Sequence, residues 1–228
     1  MCCFPKDEEL PLRRLLLKEG SKLAFSIKSL SISRGGIKLL QGVDIELKAG
    51  QVSILHGPNG VGKTTLLRTL AGLQPIESGE IEGSLEDICY SGHAYGVKPT
   101  LTVKENLEFW ANIFGSKSIS AVVEKFMILD LLNIKVGTLS AGQKRIVGLA
   151  RLVLTGRPIW LLDEPTVSLD ATAVKLFGNI LKDHLSENGC ALIATHIDLG
   201  LENNSQIIDL MKFKSVAGEL SNSNEAFL

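Results

Sequence analysis

Apolar and polar residues alternate along two stretches in the first quarter of the chain. Apolar side chains stand at residues 23, 25 and 27 and again at 30 and 32, and a similar pattern follows between residues 39 and 47. A period of two is typical of half-buried strands. The segment Ser33–Gly36 lies between the two stretches and has the composition of a turn. We therefore predict a pair of antiparallel strands in this part of the chain.

Short apolar runs and helical periodicities alternate along the rest of the chain. The predicted strands lie at 51–56, 79–83, 87–90, 159–162, 190–195 and 206–210. The predicted helices lie at 65–71, 103–114, 121–132, 141–154 and 171–185. Thr102, Ser140 and Asp170 precede three of these helices and are residue types that cap helix starts. This alternation predicts an α/β fold with a mostly parallel sheet and crossover helices.

Length and charge narrow the possible functions. A chain of 228 residues is most simply one domain with a sizeable core. Its 24 basic and 25 acidic residues leave a formal charge of −1, so no nucleic-acid footprint is present at the global level. The aromatic content of 5% also disfavours a platform on which bases stack. We therefore expect no nucleic-acid partner.

Other compositional features concern the cell compartment. No apolar run approaches the length of a bilayer-spanning helix, so a role at a membrane would need a membrane partner. Cys2, Cys3, Cys89 and Cys190 lack metal-binding spacing, and we expect reduced cytosolic thiols. Residues 1–22 lack a signal-peptide core, and we expect a flexible extension. An arginine-rich targeting peptide is the alternative for that segment, although its acidic residues disfavour it.

A glycine-rich segment lies between a predicted buried strand and a predicted helix. Its residues are Gly57, Pro58, Asn59, Gly60, Val61, Gly62, Lys63, Thr64 and Thr65. The spacing fits the P-loop, in which backbone N–H groups and a helix N-terminus bind phosphate. Lys63 would reach the β- and γ-phosphates, and the Thr64 hydroxyl would bind Mg²⁺. An incidental glycine-rich turn is the alternative, which the flanking strand and helix disfavour.

Two carboxylates follow the apolar run at 159–162. Asp163 is placed to bind Mg²⁺ through water, and Glu164 to orient and deprotonate an attacking water. A surface acidic turn is the alternative. A P-loop upstream, expected on a neighbouring strand, favours the catalytic interpretation.

A third motif, consisting of Leu139, Ser140, Ala141, Gly142 and Gln143, begins a predicted helix. Ser140 and Gly142 at a helix N-terminus can form a second anion site, although an ordinary capped helix would have the same residues. With its position between the P-loop and Asp163, the motif resembles the LSGGQ signature of the ATP-binding cassette (ABC) ATPases. Ala141 stands where that signature has glycine.

The resemblance implies a nucleotide-binding domain at 23–228, with an antiparallel β portion and a helical subdomain at about 98–155. It implies ATP with Mg²⁺, and a homodimer in which the signature of one chain completes the site of the other. It further implies that Asp170 belongs to the D-loop at the dimer interface and that His196 contacts the γ-phosphate. Glu164 would act as the base, with Lys63 stabilising charge on the phosphates.

Two positions depart from the family pattern. Arg34 stands about where an aromatic residue usually stacks on adenine; it could stack there, or it could be a solvated turn residue. His93 stands where the Q-loop glutamine is expected.

A narrower resemblance is to the ATP-binding subunits of the haem exporters used in c-type cytochrome maturation. It is carried by Tyr90, Gly92, His93 and the segments Gly96–Lys98, Leu101–Thr102, Glu105–Trp110, Leu139–Gln143, Ala150–Leu152 and Trp160–Pro165. Ala94 departs from it, because glutamine often stands there, and Trp110 and Trp160 are equally explained by packing. The resemblance implies multi-pass membrane permease subunits of a haem-handling complex as partners, contacted through residues 93–99. The location implied is peripheral, on the cytoplasmic face of the inner membrane.

Three alternatives remain open. One is the ATPase of another ABC exporter, for a lipid or a metabolite. Another is a soluble ABC ATPase in DNA repair or translation, but those commonly fuse two cassettes or insert a long coiled coil, and this chain has neither. The third is an ATP-gated clamp without turnover, which Lys63, Asp163, Glu164 and His196 disfavour.

Overall fold

The computed structural model describes residues 23–116, 118–201 and 205–215. Its strands are β1 (Leu23–Arg34), β2 (Ile37–Lys48), β3 (Val52–His56), β4 (Ser78–Glu82), β5 (Ile88–Ser91), β6 (Ile159–Asp163), β7 (Cys190–Ala194) and β8 (Ser205–Asp209). Its helices are α1 (Lys63–Leu70), α2 (Val103–Phe114), α3 (Ser120–Lys125), α4 (Ala141–Thr155) and α5 (Ala171–Ser186). The expected flexible extension at 1–22 lies outside the described residues.

Two sheets of different kinds form the framework. A three-stranded sheet has the order β2-β1-β4 with antiparallel pairing, so the predicted hairpin is confirmed. A five-stranded sheet has the order β5-β6-β7-β3-β8 with parallel pairing throughout. The predicted α/β class with a mostly parallel sheet is thus confirmed.

The strand that precedes the P-loop is not adjacent to the strand that ends at Asp163. β7 pairs with both β3 and β6 and separates them, so the expectation of neighbouring strands is wrong. The physical reason is that every residue of β7 is buried, as it is in β6. A strand that is apolar on both faces gains most from a central position, wherever it falls in the chain.

The parallel sheet separates two buried clusters. Side chains alternate along β6: Trp160 and Leu162 face the cluster that contains α2, α4 and α5, whereas Ile159 and Leu161 face the other. That second cluster contains α1 and the buried face of β1 and β2. Trp160 is therefore a core residue, as the packing explanation predicted.

The predicted helix at 121–132 is wrong beyond residue 125. α3 ends at Lys125, Met127 has a φ of +54°, and a short 3₁₀ turn follows at Leu129–Leu131. Phe126 and Ile128 are both buried, each with 2% of its surface exposed. Residues two apart point in nearly opposite directions on an α-helix, so a continuous helix could not bury both.

The helices α2 and α4, on either side of this break, begin where the sequence predicts. Capping boxes begin α2 at Thr102 and α4 at Ser140, and Gly156 ends α4 with a φ of +59°. Within the described ranges, none of the helices combines the length and the apolar character that crossing a membrane requires.

Candidate nucleotide site

The P-loop lies at the carboxyl end of β3, where α1 begins. Gly57, Gly60 and Gly62 all have positive φ values, which few other residues would adopt without strain. In the described part of the chain, no side chain caps α1, and its first turn carries no acidic residue. The free N–H groups and the positive end of the helix dipole are therefore available to a bound anion.

The Lys63 ammonium lies across the mouth of this loop. Its Nζ donates to the carbonyl oxygens of Gly57 at 2.6 Å and Pro58 at 3.3 Å. The same nitrogen lies 3.4 Å from His196 Nε2. The Lys63 charge is thus held beside the P-loop backbone and directly faces His196.

Thr64 and Asp163 join the P-loop to the end of β6. Thr64 Oγ1 donates to Asp163 Oδ1 at 3.2 Å. Asp163 is only 1% exposed, and its buried Oδ2 has no hydrogen-bond partner among the described residues. A buried carboxylate oxygen costs free energy when it is left unpaired, unless a cation or water pairs with it.

This donor set suits Mg²⁺. A hydroxyl and a carboxylate are hard oxygen ligands, and Mg²⁺ at phosphate sites uses one or two protein ligands together with phosphate oxygens and waters. The described residues contain no group of three or more His, Cys, Asp and Glu that would enclose an ion by itself. The geometry therefore fits an ion shared between Thr64, Asp163 and a bound phosphate.

Glu164 has an unusual backbone conformation. Its φ is +48°, and its N–H donates to the Ala194 carbonyl at 2.8 Å, which joins the ends of β6 and β7. Its Oε1 lies 3.7 Å from His196 Nε2. Left-handed conformations of non-glycine residues persist where the surrounding structure enforces them, and they concentrate at functional sites. The Glu164 carboxylate is thereby placed beside His196.

Arg145, which the sequence analysis missed, is a buried residue whose side chain binds the backbone around Glu164. Its guanidinium donates to the carbonyl oxygens of Gly92 at 2.8 Å, Pro165 at 3.0 Å and Asp163 at 3.4 Å, and also to that of Glu164. Only 2% of Arg145 is exposed, and this burial lowers the pKa of the guanidinium. A charged residue followed by the apolar residues 146–150 of α4 was the available sequence signal.

The signature residues form a capped helix start. Ser140 Oγ accepts from the Gln143 N–H at 3.2 Å, and Gln143 Oε1 accepts from the Ser140 N–H at 2.9 Å. A Cβ on Gly142 would lie 2.7 Å from the Ser168 carbonyl oxygen, so only glycine fits there. Ala141 is exposed, which explains why alanine is accommodated at that position.

The structure therefore brings some of the predicted site residues together. Lys63, Thr64, Asp163, Glu164 and His196 meet at the carboxyl ends of β3, β6 and β7. The signature helix instead packs on Ser168, beside Asp170, which caps α5 by accepting from the Ala173 N–H at 2.8 Å. Arg34, at the end of β1, and His93, in the loop after β5, are both exposed.

Comparison with known proteins gives consistent results. The family described as ABC transporter matches residues 40–167. The chain is similar to the cytochrome c biogenesis ATP-binding export protein CcmA of Ruegeria pomeroyi, with 52% identity over 90% of this chain and 100% of that protein. The protein of the same name from Paracoccus denitrificans is 53% identical over 89% of this chain and 98% of its own length.

Solved structures resemble the fold. A putative ABC transporter ATP-binding protein from Pyrococcus furiosus matches with a TM-score of 0.74 and 28% identity, over 84% of this chain and 99% of that chain. The ATP-binding subunit of an ABC transporter matches with a TM-score of 0.75 and 21% identity, over 89% of this chain and 93% of that chain.

Proposed function

The chain belongs to the ABC transporter family as an ATP-binding, ATP-hydrolysing subunit, and from this premise we propose that its transporter exports haem for c-type cytochrome maturation. The observation that carries the proposal is about one-half identity, over nine-tenths of the chain, to relatives named as cytochrome c biogenesis export proteins. Haem is the prosthetic group that such biogenesis must deliver, and the resemblance around His93 and Trp110 favours the same cargo.

In the proposed reaction, the P-loop N–H groups and Lys63 bind the ATP phosphates. Water attacks the γ-phosphorus in line, the bond to the ADP oxygen breaks, and the Glu164 carboxylate accepts the proton of the water. The contacts that support this assignment place His196 Nε2 between Lys63, at 3.4 Å, and Glu164 Oε1, at 3.7 Å. An imidazole in that position can orient both groups relative to the γ-phosphate.

Thr64 and Asp163 would hold Mg²⁺, which offsets negative charge on the phosphate oxygens when it is bound. The buried, unpaired Oδ2 of Asp163 supports this role. Arg34 would lie near the adenine in this arrangement. Its exposed position at the end of the hairpin leaves its guanidinium free to stack.

We further propose that two copies form a homodimer around two ATP molecules. Ser140, Ala141 and Gln143 are exposed at the start of α4, where the helix dipole favours an anion. The close packing of Gly142 on Ser168 joins the signature and the D-loop into one surface. A second chain would present that surface to the γ-phosphate.

The membrane partner would be a multi-pass permease that handles haem, with the ATPase bound peripherally on the cytoplasmic face of the inner membrane. Subunits of this family work with permease subunits, and the exposed residues His93 and Lys98–Thr100 offer a contact surface beside α2. The ATP cycle would then drive that permease.

Genetic inactivation tests the proposed cargo. A strain in which the chromosomal copy carries Lys63→Ala or Glu164→Gln should lose holocytochrome c while it keeps b-type cytochromes and apocytochrome export. Haem staining of membrane fractions measures the first, and b-type spectra provide the internal control. Lys175→Ala, a change at an exposed position of α5, is the matched control. Normal c-type cytochromes in the inactive strains would reject haem export and favour export of a lipid or metabolite instead.

A further inference from the structure

The loop after β5 lacks the glutamine that the family pattern expects, and its histidine does not replace it. His93 is exposed, and among the described residues its side chain has no hydrogen bond or ion pair. We call residues 92–98 the connector loop. The connector loop is linked to the region around Glu164 through a backbone carbonyl oxygen instead of through the His93 side chain.

Arg145 makes that link from inside the protein. One nitrogen of its guanidinium, Nη1, donates to Gly92 O at 2.8 Å in the connector loop. Nε donates to Pro165 O at 3.0 Å, and Nη2 donates to the carbonyl oxygen of Glu164. One rigid, planar group thus joins the connector loop to the carbonyl oxygens of two consecutive residues, Glu164 and Pro165.

The chemistry of arginine suits this task. Within the described ranges no carboxylate lies within ion-pair distance of Arg145, so carbonyl oxygens are its hydrogen-bond acceptors. A guanidinium presents five donors in a fixed fork, whereas an ammonium presents its donors from a single nitrogen on a flexible stem. Lysine at this position would keep the positive charge but would lack the planar arrangement of donors.

The rest of the connector loop is packed too closely to move independently of the helices. A Cβ on Gly148 of α4 would lie 2.6 Å from Tyr95 O, so the helix and the loop backbone are in direct contact. Trp110 Nε1 donates to Gly96 O at 3.2 Å, and the Arg145 guanidinium lies 5.8 Å from the Tyr95 ring centre. A displacement of the loop would therefore displace the guanidinium.

We propose that Arg145 is a positioning residue, which holds the left-handed backbone of Glu164 and couples its position to the connector loop. It thereby takes over the connection that the missing glutamine would make. The inference rests on the proposed role of Glu164 as the base. It assigns to Arg145 no contact with ATP or water.

The main test is Arg145→Lys in the purified full chain. Turnover of ATP should fall by roughly 10- to 100-fold, because small misplacements of a catalytic group have effects of that size. The KM for ATP and the affinity for a non-hydrolysable ATP analogue should stay within about threefold, since the P-loop is untouched. Arg157→Lys is the matched control.

Arg157 follows the same helix, donates to the Ile88 carbonyl oxygen and lies over the Phe114 ring at 5.2 Å. None of its contacts in the described residues reaches 163–165 or the connector loop. Arg157→Lys should therefore keep kcat within about threefold, because it changes a similar arginine–carbonyl contact without changing the link to Glu164.

A double-mutant cycle separates positioning from general loss of structure. In a Glu164→Gln background, Arg145→Lys should lower the residual turnover by less than about twofold. The reason is that the effects of two substitutions are not additive when one residue acts through the other. An equal loss with and without Glu164 would overturn the proposal, as would an unchanged kcat in Arg145→Lys. If the wild type hydrolyses ATP and Glu164→Gln does not, the role of Glu164 is established independently of Arg145. A failure of the Arg145 proposal can therefore be told apart from a failure of the proposed role of Glu164.

Variants that avoid the buried lysine keep the proposal testable if Arg145→Lys does not fold. Arg145→Gln replaces the buried charge by a neutral amide and carries the same predictions. Trp110→Phe removes the hydrogen bond to Gly96 O at the other end of the connector loop and reduces the aromatic surface that lies against Arg151 and Phe114. It should lower kcat in the wild type and not in Glu164→Gln, and a normal kcat in Trp110→Phe would overturn the coupling.

Discussion

At the scale of single residues, the site depends on how three strand ends place a few polar groups. Lys63, Glu164 and His196 are contributed by segments more than 30 residues apart, yet His196 Nε2 lies within 3.7 Å of both of the others. Glu164 has a left-handed φ, and its carboxylate lies beside His196. The carboxylate that carries the proposed chemistry thus has the more strained backbone, and Asp163, which has the unpaired oxygen, is the more buried.

Glu164→Gln provides the residue-scale prediction. Turnover should fall by roughly 10²–10⁴-fold, because the variant removes the proposed general base and keeps the shape of the side chain. ATP binding should remain, and light scattering should detect an accumulated ATP-bound dimer. Glu187→Gln, at an exposed position after α5, is the control. Near-normal hydrolysis in Glu164→Gln would remove this residue from the mechanism.

At the scale of elements, α5 is joined to the core by a stacked pair. The His184 ring lies 3.8 Å from the Trp160 ring, centre to centre, at an angle of 10° between the planes. Burial lowers the pKa of His184 below its ordinary value of 6.5, against the opposing hydrogen bonds to the Cys190 and Pro158 carbonyls. The folded protein therefore favours the neutral imidazole at this position.

This shift predicts how stability depends on pH. Between the folded pKa and 6.5 the unfolded chain binds more protons at His184 than the folded one, so this contribution to stability is lost as pH falls through that window. Urea unfolding at pH 7.5, 6.5 and 5.5 should show a decline that is smaller in His184→Phe, which stacks on Trp160 but does not titrate. An identical decline in the two proteins would assign the pH dependence to other groups.

At the scale of the whole molecule, the proposed homodimer requires each chain to present two half-sites. The phosphate-binding groups lie at the carboxyl edge of the parallel sheet, whereas the exposed start of α4 packs on Ser168 and makes its polar contacts within its own helix. Closure by a second copy would bring the two together, since symmetric dimers place the same pair of surfaces on both subunits.

The shared site predicts that activity depends on concentration. Specific ATPase activity should rise with protein concentration through the dimerisation range, because a monomer lacks the second half-site. Sedimentation at the same concentrations, with Glu164→Gln as a stabilised dimer, provides the reference. Full specific activity in a dilute monomer would contradict the model.

The sequence by itself determined the features that depend on local patterns. Strand alternation at 23–47, the capping residues Thr102, Ser140 and Asp170, and the order of the three motifs were sufficient for the fold class and for the candidate phosphate-binding segment. Local chemistry is enough in these cases, because a cap or a P-loop is formed by residues adjacent in the chain.

Only the tertiary structure decided the strand order, the end of α3 and the surroundings of Arg145, because these features depend on contacts between distant segments. The position of β7 between β3 and β6, the end of α3 at Lys125 and the four carbonyl oxygens around Arg145 all arise from burial and packing. Along the sequence, Arg145 is one basic residue among 24. Burying its guanidinium requires acceptors from two separate loops at once, and a sequence does not show which loops will meet.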